Sequence, residues 1–323
     1  MLGLAIADGK LAPQQLPITS PAEGEVLLRV AYAGINRADL LQVEGSYAAP
    51  EGASPLPGLE VSGTIASLGA GVKDWQIGQH VCALLSGGGY AEYVVAPASQ
   101  LLPIPENISL NDAASLPESL ATSVMALVQV AHLQTGERVL VHGGTSGLGI
   151  YMVQVAKGLG AEVFATVGSD EKITFLKKFG VLGINHRASP FADQIMQATN
   201  GEGVDVIIDT LGAPQLANHL KILRKGGRMV TLAMLEGNVA ESFKIAGFFL
   251  KQLSWSGATL RGRTLAQKAE IIATIRQQLW PHLLSGRIQP VVDSVFPLKD
   301  AENALKKMQE RLHMGKILLE VSA

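Results

Sequence analysis

Cysteine is nearly missing from these 323 residues: there is one, Cys82. That excludes an internal disulfide framework and a cysteine-rich zinc site. Its setting, "GQHVCALLSGGG", brings no neighbouring base, so Cys82 reads as a small buried hydrophobe. An excess of either charge is also missing, with 26 Lys and Arg against 28 Asp and Glu and a formal net charge of −2. Nothing in that balance points to nucleic acid or an anionic membrane as partner. No apolar run approaches the roughly 18 residues that span a bilayer. The opening "MLGLAIADGK" lacks the basic stretch of a secretory signal, and Asp8 interrupts its short apolar run. The expectation is a soluble cytoplasmic protein.

What is abundant is material for a core. Hydrophobic residues make up 47% and charged residues 17%, and the length suggests two domains. Residues 1–118 read as β-rich, with strands in "GEVLLRVAYAGI", "GLEVSGTIASLG", "HVCALL" and "GGGYAEYVVAP" between turn signals. "SLNDAASLPESLATSVMALVQVAHL" has helical spacing, with Ser109 and Asn111 as caps and Pro117 as a break. From Glu137 strand and helix alternate: "ERVLVHGG", "SGLGIYMVQVAKGLG", "AEVFATVG", "SDEKITFLKKFG", "GVDVIIDTLG", "APQLANHLKILRKGG", "GRMVTLAM". Apolar strands alternating with helices predict an α/β fold with a parallel sheet covered on both faces. Residues 119–257 form that domain. The tail, 258–323, reads as a long helix ended by Gly286 and then strand, helix, strand, returning to the first domain.

The segment "VLVHGGTSGLGIYMVQVAKGLGAEVFATVGS" carries the chemistry. A strand over 138–142 feeds into Gly143 and Gly144, and Gly147 and Gly149 open a helix. Unpaired N–H groups at a helix start carry partial positive charge and attract a pyrophosphate. Glycines allow the close approach. The spacing from Gly144 to Gly149 is GxxGxG, a weak string alone. The strand before it, the helix after it and a second strand about 20 residues on match the dinucleotide-binding βαβ unit. Gly143, Gly144, Thr145, Ser146, Gly147 and Leu148 are therefore expected on the cofactor. The second strand ends in Gly168 and Ser169, with no acid at its tip to accept from a ribose 2′-hydroxyl. That leaves room for a 2′-phosphate, with Lys172 as countercharge. A solvated helix lysine is the alternative, and Asp170 and Glu171 beside it would repel a phosphate unless they face water. NADPH is the expected cofactor. Leu211 and Leu235 follow two later strands, where a Rossmann strand end faces it.

"AGINRADLLQVEGSY", "PGLEVSGTIASLGAGV", "GGGYAEYVVAP", "VLVHGGTSGLG" and "GKILLEV" resemble the zinc-free quinone oxidoreductases of the medium-chain dehydrogenase/reductase superfamily over essentially the whole chain. The resemblance implies a GroES-like domain beside a Rossmann domain, a cleft between them, and a homodimer built by joining Rossmann sheets. Zinc-dependent relatives have Cys where Asn36 stands and His where Leu59 stands. Leu59 cannot ligate, Asn36 is a poor substitute for a thiolate, and Glu60 alone makes no site. No metal is expected, and the acceptor must already be electrophilic: a quinone, or a conjugated enone or enal.

Asn36, Tyr47 and Thr122 match family positions around the acceptor and the nicotinamide. Asn36 offers an amide to a carbonyl, unless it only forms a turn. Tyr47 offers a donor and a stacking ring, unless it is a loop tyrosine. Thr122 positions the nicotinamide, unless it back-bonds in its helix. Pro117 and Glu118 stand just ahead and shape the same wall. Arg261 and Arg263 could reach phosphate or ribose, unless they are a basic pair in a solvated loop, and His186, where relatives have a tyrosine near the adenine ribose, either stacks similarly or faces water. His132 and His313 show no partner pattern. The expected activity is NADPH:quinone reduction. The alternatives are an enone or enal reductase on the same scaffold, or an NADPH-binding sensor without turnover.

Overall fold

Side-chain alternation decides the first unit. The computed structural model describes residues 1–240 and 245–321. Strands β1 (Leu2–Ala7) and β2 (Lys10–Gln15) pair as a hairpin that the sequence pattern did not announce. In β3 (Glu25–Gly34), Val26, Leu28 and Val30 are wholly buried while Arg29 is exposed, the period of two that packs one sheet face. β4 (Glu60–Leu68), β5 (His80–Leu84), β6 (Tyr93–Pro97) and β7 (Leu101–Pro103) join it in antiparallel pairings.

The second unit obeys the opposite rule. β8 (Arg138–Val141), β9 (Glu162–Val167), β10 (Leu182–Asn185), β11 (Val204–Asp209), β12 (Leu223–Thr231) and β13 (Ser254–Gly257) form one parallel sheet in the order β10-β9-β8-β11-β12-β13. Phe164, Ala165, Val206 and Ile207 are buried on consecutive positions, as strands covered on both faces require. The order runs outward in two directions from β8, so the switch point falls between β8 and β11, where such sheets bind ligands at the carboxyl ends of their strands. β14 (Val292–Pro297) and β15 (Lys316–Glu320) return to the first sheet, β15 pairing antiparallel with β3.

The chain divides into Met1–Ala121 with Leu260–Ala323, and Thr122–Thr259. Both joints fall three residues or fewer from 118/119 and 257/258, the first inside the helix Pro117–Ser123. Ser109 caps a short helix, Leu110–Ala113, its Oγ accepting from Asp112 N at 3.0 Å. Asn111 lies within that helix instead of capping it, and Pro117 opens the next one, where its missing N–H costs nothing. The long C-terminal helix is three pieces, Leu265–Thr274, a π-turn Ile275–Leu279 and Trp280–Leu284. No apolar alternation marks β10, which is half-exposed and short, and it escaped the sequence pattern together with the helix Phe191–Ala198.

Candidate active site

In the second unit the glycine-rich turn forms where the sequence places it. Gly144 N donates to Thr166 O at 3.0 Å, and Ser146 Oγ accepts from Gly149 N at 3.0 Å, satisfying the first amide of the helix Gly149–Gly158. A Cβ on Gly149 would stand 2.1 Å from Gly143 O, and one on Gly144 would stand 2.4 Å from Ala165 Cβ. Only glycine lets strand, turn and helix close this tightly. Gly143 is exposed, Ser146, Gly147 and Leu148 are half-exposed, and Thr145 is buried at 3%. Thr145 therefore supports the turn from beneath.

The loops after β11 and β12 come together beside it. Leu235 N donates to Thr210 O at 3.1 Å and Glu236 N to Leu211 O at 2.9 Å. Leu211 and Leu235 thus share one rim at the carboxyl ends of the strands. At the tip of β9, Ser169 caps the helix Asp170–Lys177, its Oγ accepting from Lys172 N at 3.3 Å. Asp170 accepts from Asn185 Nδ2 at 2.8 Å, a bond that occupies one of its oxygens. Arg187 lies against Gly168, its Nε 3.4 Å from where a Cβ would stand. Arg187 was not foreseen, because nothing in "INHRASPF" marks a cation as pointing at a strand tip 19 residues earlier. His186 is exposed, and burial together with Arg187 depresses its pKa. A helix start, a Cβ-free turn and the Arg187 guanidinium beside Gly168 fit an anionic dinucleotide.

Beneath the turn lies a group that sequence reasoning missed. His142 Nε2 meets His219 Nε2 at 2.9 Å, and His142 Nδ1 meets Thr166 Oγ1 at 3.0 Å, which also accepts from Gly143 N at 3.2 Å. Asp209 stands 4.0 Å from His219, its Oδ1 already accepting from Leu211 N and Gly212 N. Burial depresses the pKa of both imidazoles. They form a neutral brace linking the turn to the rim. His142 adjoins the motif, but His219 has no sequence signature.

Asn36 and Tyr47, expected at the acceptor, lie in the first unit. Asn36 opens the helix Arg37–Val43, but its side chain faces inward: Nδ2 donates to Glu60 Oε1 at 2.9 Å, and Oδ1 accepts from Lys316 Nζ at 2.7 Å. Lys316 also pairs with Glu60, both residues at 1% exposure or less. A substrate carbonyl on the Asn36 amide would have to compete with these bonds. Glu60 Oε2 accepts from Glu118 N at 2.9 Å. Tyr47 is half-buried, with the Arg261 guanidinium 5.5 Å from its ring centre, and burial raises its phenol pKa.

Arg261 differs from expectation. It is 3% exposed, donating to Ser86 O at 3.0 Å and Gln42 Oε1 at 2.8 Å, so it builds the Tyr47 wall of its own unit and is not extended toward phosphates. Lys268, also unforeseen, is buried and donates to Ser86 Oγ at 2.6 Å and Arg261 O at 2.8 Å. Arg263 is half-exposed and Thr122 is buried at 8% on the helix Pro117–Ser123.

Two family models match the chain in order. Residues 22–106 match the alcohol dehydrogenase GroES-like domain, and residues 147–275 match the zinc-binding dehydrogenase model. The CurK enoyl reductase superposes with a TM-score of 0.87 at 29% identity, covering 99% of each chain. The quinone oxidoreductase of Thermus thermophilus, solved also with NADPH, superposes with a TM-score of 0.82 at 29% identity, covering 99% of this chain and all of that one. A phenolphthiocerol/phthiocerol polyketide synthase of Mycobacterium tuberculosis is 32% identical over 302 residues. That match takes in 93% of this chain, which spans only 14% of the length of that relative.

The chain belongs to the medium-chain dehydrogenase/reductase superfamily of oxidoreductases. Asn36, Leu59 and Glu60 do not fit the zinc that one model's description names. Leu59 brings no donor atom, and the oxygens of Asn36 and Glu60 are bonded to a lysine ammonium. A dication there would meet a buried positive charge. No helix among the described residues is long and apolar enough to cross a membrane.

Proposed function

We propose that the chain is an NADPH-dependent, zinc-independent reductase that transfers hydride to a quinone. The observation that carries this reading is the Lys316 ammonium locked between Asn36 and Glu60, which puts a positive charge where a Lewis acid would have to sit on these two residues. The acceptor must then be electron-poor on its own. Tyr47 supplies a stacking ring and a hydroxyl for it, Asn36 holds the buried lysine in place, and Thr122 positions the nicotinamide. When bound, the dinucleotide supplies the hydride. The turn over 143–149 holds its pyrophosphate, Leu211 and Leu235 border it, and His186 faces its adenine end. Lys172 and Arg187 favour a 2′-phosphate. Arg263, the second of the basic pair, is a candidate contact for phosphate or ribose.

Mixing the protein with NADPH and phenanthrenequinone should give rapid loss of absorbance at the reduced-nicotinamide band. NADH should be a poorer donor in the parent, and Lys172→Ala should erase that preference. Tight NADPH uptake with no oxidation by any quinone or enal would instead establish a sensor.

A second reading has support of its own, since enoyl reductases stand beside quinone oxidoreductases among the structural neighbours at equal identity. Reduction of a conjugated C=C bond would use the same cofactor and scaffold.

The homodimer is proposed on the edge strand β13 and the helix Ile245–Leu250. Ile245, Phe249, Leu250 and Trp255 are 68%, 76%, 71% and 47% exposed. An apolar patch on a free strand edge invites pairing with a second copy. Sedimentation should give twice the chain mass, and Trp255→Lys with Phe249→Glu should give a monomer. A monomeric parent refutes it.

A further inference from the structure

Two lysines and an arginine are buried in the first unit, and one of the three has a counterion in contact. Lys316 meets Glu60. Arg261 and Lys268 are 3% and 1% exposed, and among the described residues no ion pair falls on either. Ser86 holds the two together: its carbonyl accepts from Arg261 Nε at 3.0 Å and its Oγ from Lys268 Nζ at 2.6 Å. Lys268 also donates to Arg261 O at 2.8 Å, which leaves the third N–H of its ammonium without a partner among the described residues. Arg261 Nη2 donates to Gln42 Oε1 at 2.8 Å, and Nη1 is buried with no hydrogen-bond partner among them.

Neutral oxygens do not restore what a guanidinium or an ammonium loses on leaving water; an anion does. The acids that act on this pair, Asp39 and Glu118, do not supply the whole balance. Asp39 already accepts from Gly58 N at 2.9 Å, Asn36 N at 2.8 Å and Tyr90 Oη at 3.0 Å. Burial, then the charge of Glu60, push the pKa of Glu118 up to about 8, so its carboxyl carries little charge near neutrality. With Lys316 matched by Glu60 and one member of the pair by Asp39, one positive charge is left over.

We propose that Arg261, Lys268 and Tyr47 form a binding site for an aromatic carboxylate. One carboxylate supplies the single missing negative charge and accepts from the free Nη1. The Tyr47 ring centre lies 5.5 Å from the Arg261 guanidinium, so a ring attached to that carboxylate meets an aromatic face. Tyr47 and Ser86 are half-exposed, so the ligand arrives from water without entering the core. Inorganic phosphate fits less well, since it carries more than one negative charge near neutrality and offers Tyr47 no apolar surface. Every residue of the site belongs to the first unit. Its occupancy requires neither the dinucleotide nor the reductase reading.

Titration calorimetry of the full chain at fixed ionic strength, without dinucleotide, tests this with benzoate, benzamide and inorganic phosphate. Benzoate should bind, and benzamide, its uncharged isostere, should bind at least about 10-fold more weakly, the scale of a hydrogen bond to a charged group. Arg261→Gln should weaken benzoate by about the same factor, and Tyr47→Ala by about 5-fold, the scale of an aromatic pair. Circular dichroism checks that each variant is folded. If Arg261→Gln does not fold, benzamide and Tyr47→Ala decide the matter. No heat with benzoate, equal affinity for benzoate and benzamide, or folded variants with the parent's affinity overturns the site. Phosphate binding more tightly than benzoate overturns the ligand class.

Discussion

The two units solve the burial of polar groups in opposite ways. The first encloses full charges: Glu60, Asp39, Lys316 and Lys268 are all at 1% exposure or less. The second, at its own centre, encloses neutral imidazoles and a carboxylate, Asp209, that accepts from Leu211 N, Gly212 N and Thr231 Oγ1. Charged clusters in low dielectric are strong only when complete, whereas amide and imidazole bonds tolerate loss at smaller cost. The contrast follows the tasks proposed for each. Holding a dinucleotide calls for backbone donors and space, which add no net charge. Activating an electron-poor acceptor without a metal calls for fixed charge.

The largest expected effect breaks the charged side of this contrast. Lys316→Met leaves the Glu60 carboxyl buried without its partner, and should destabilise the protein by about 3–5 kcal/mol. Urea denaturation followed by tryptophan fluorescence measures it. Lys316→Met with Glu60→Gln removes the orphaned charge; the glutamine oxygen keeps the bond from the Glu118 amide and its NH2 donates to a flipped Asn36 Oδ1, so it should regain most of the loss. If the double variant is no better than the single one, the cost was packing and not charge.

How much of this could be read from residues alone depends on sequence distance. The glycine-rich turn was legible because strand, turn and helix are contiguous, and Gly144 and Gly149 are demanded by contacts within about twenty residues. The parallel sheet was legible because its strands are apolar on both faces. The lysine between Asn36 and Glu60 was not, since it joins residues 280 positions apart. Nothing in "GKILLEV" says which way its lysine points, and long side chains usually reach water. Arg261 misled for the same reason: a loop arginine was expected to extend, but Ser86, Gln42 and the Tyr47 ring hold it inward. His219 acquires meaning only through the fold, which sets it against His142.

The smallest expected effect sharpens the contrast, because the two units should answer acid with opposite signs. Burial depresses the folded pKa of His142 and His219 below the ordinary 6.5. Their contribution is fully present above about pH 6.5 and is lost as pH falls through the folded values, because the unfolded chain then binds more protons. The carboxyls of Asp39 and Glu118 are raised, to about 6 and about 8. Their contribution is fully present below the ordinary carboxyl range and is lost as pH rises through those values. Native-state hydrogen exchange at pH 5.5 and pH 8, corrected for intrinsic rates, reads each unit separately. Amides of the helices Gly149–Gly158 and Leu216–Ile222 should lose protection at pH 5.5 relative to pH 8. Amides of β3 and β4 should hold or gain it. A free-energy difference of about 1 kcal/mol between the units is the scale expected, since one pKa unit is worth about 1.4 kcal/mol. Uniform change across both sheets would show that the imidazole brace and the carboxyl cluster are not the groups that set the response.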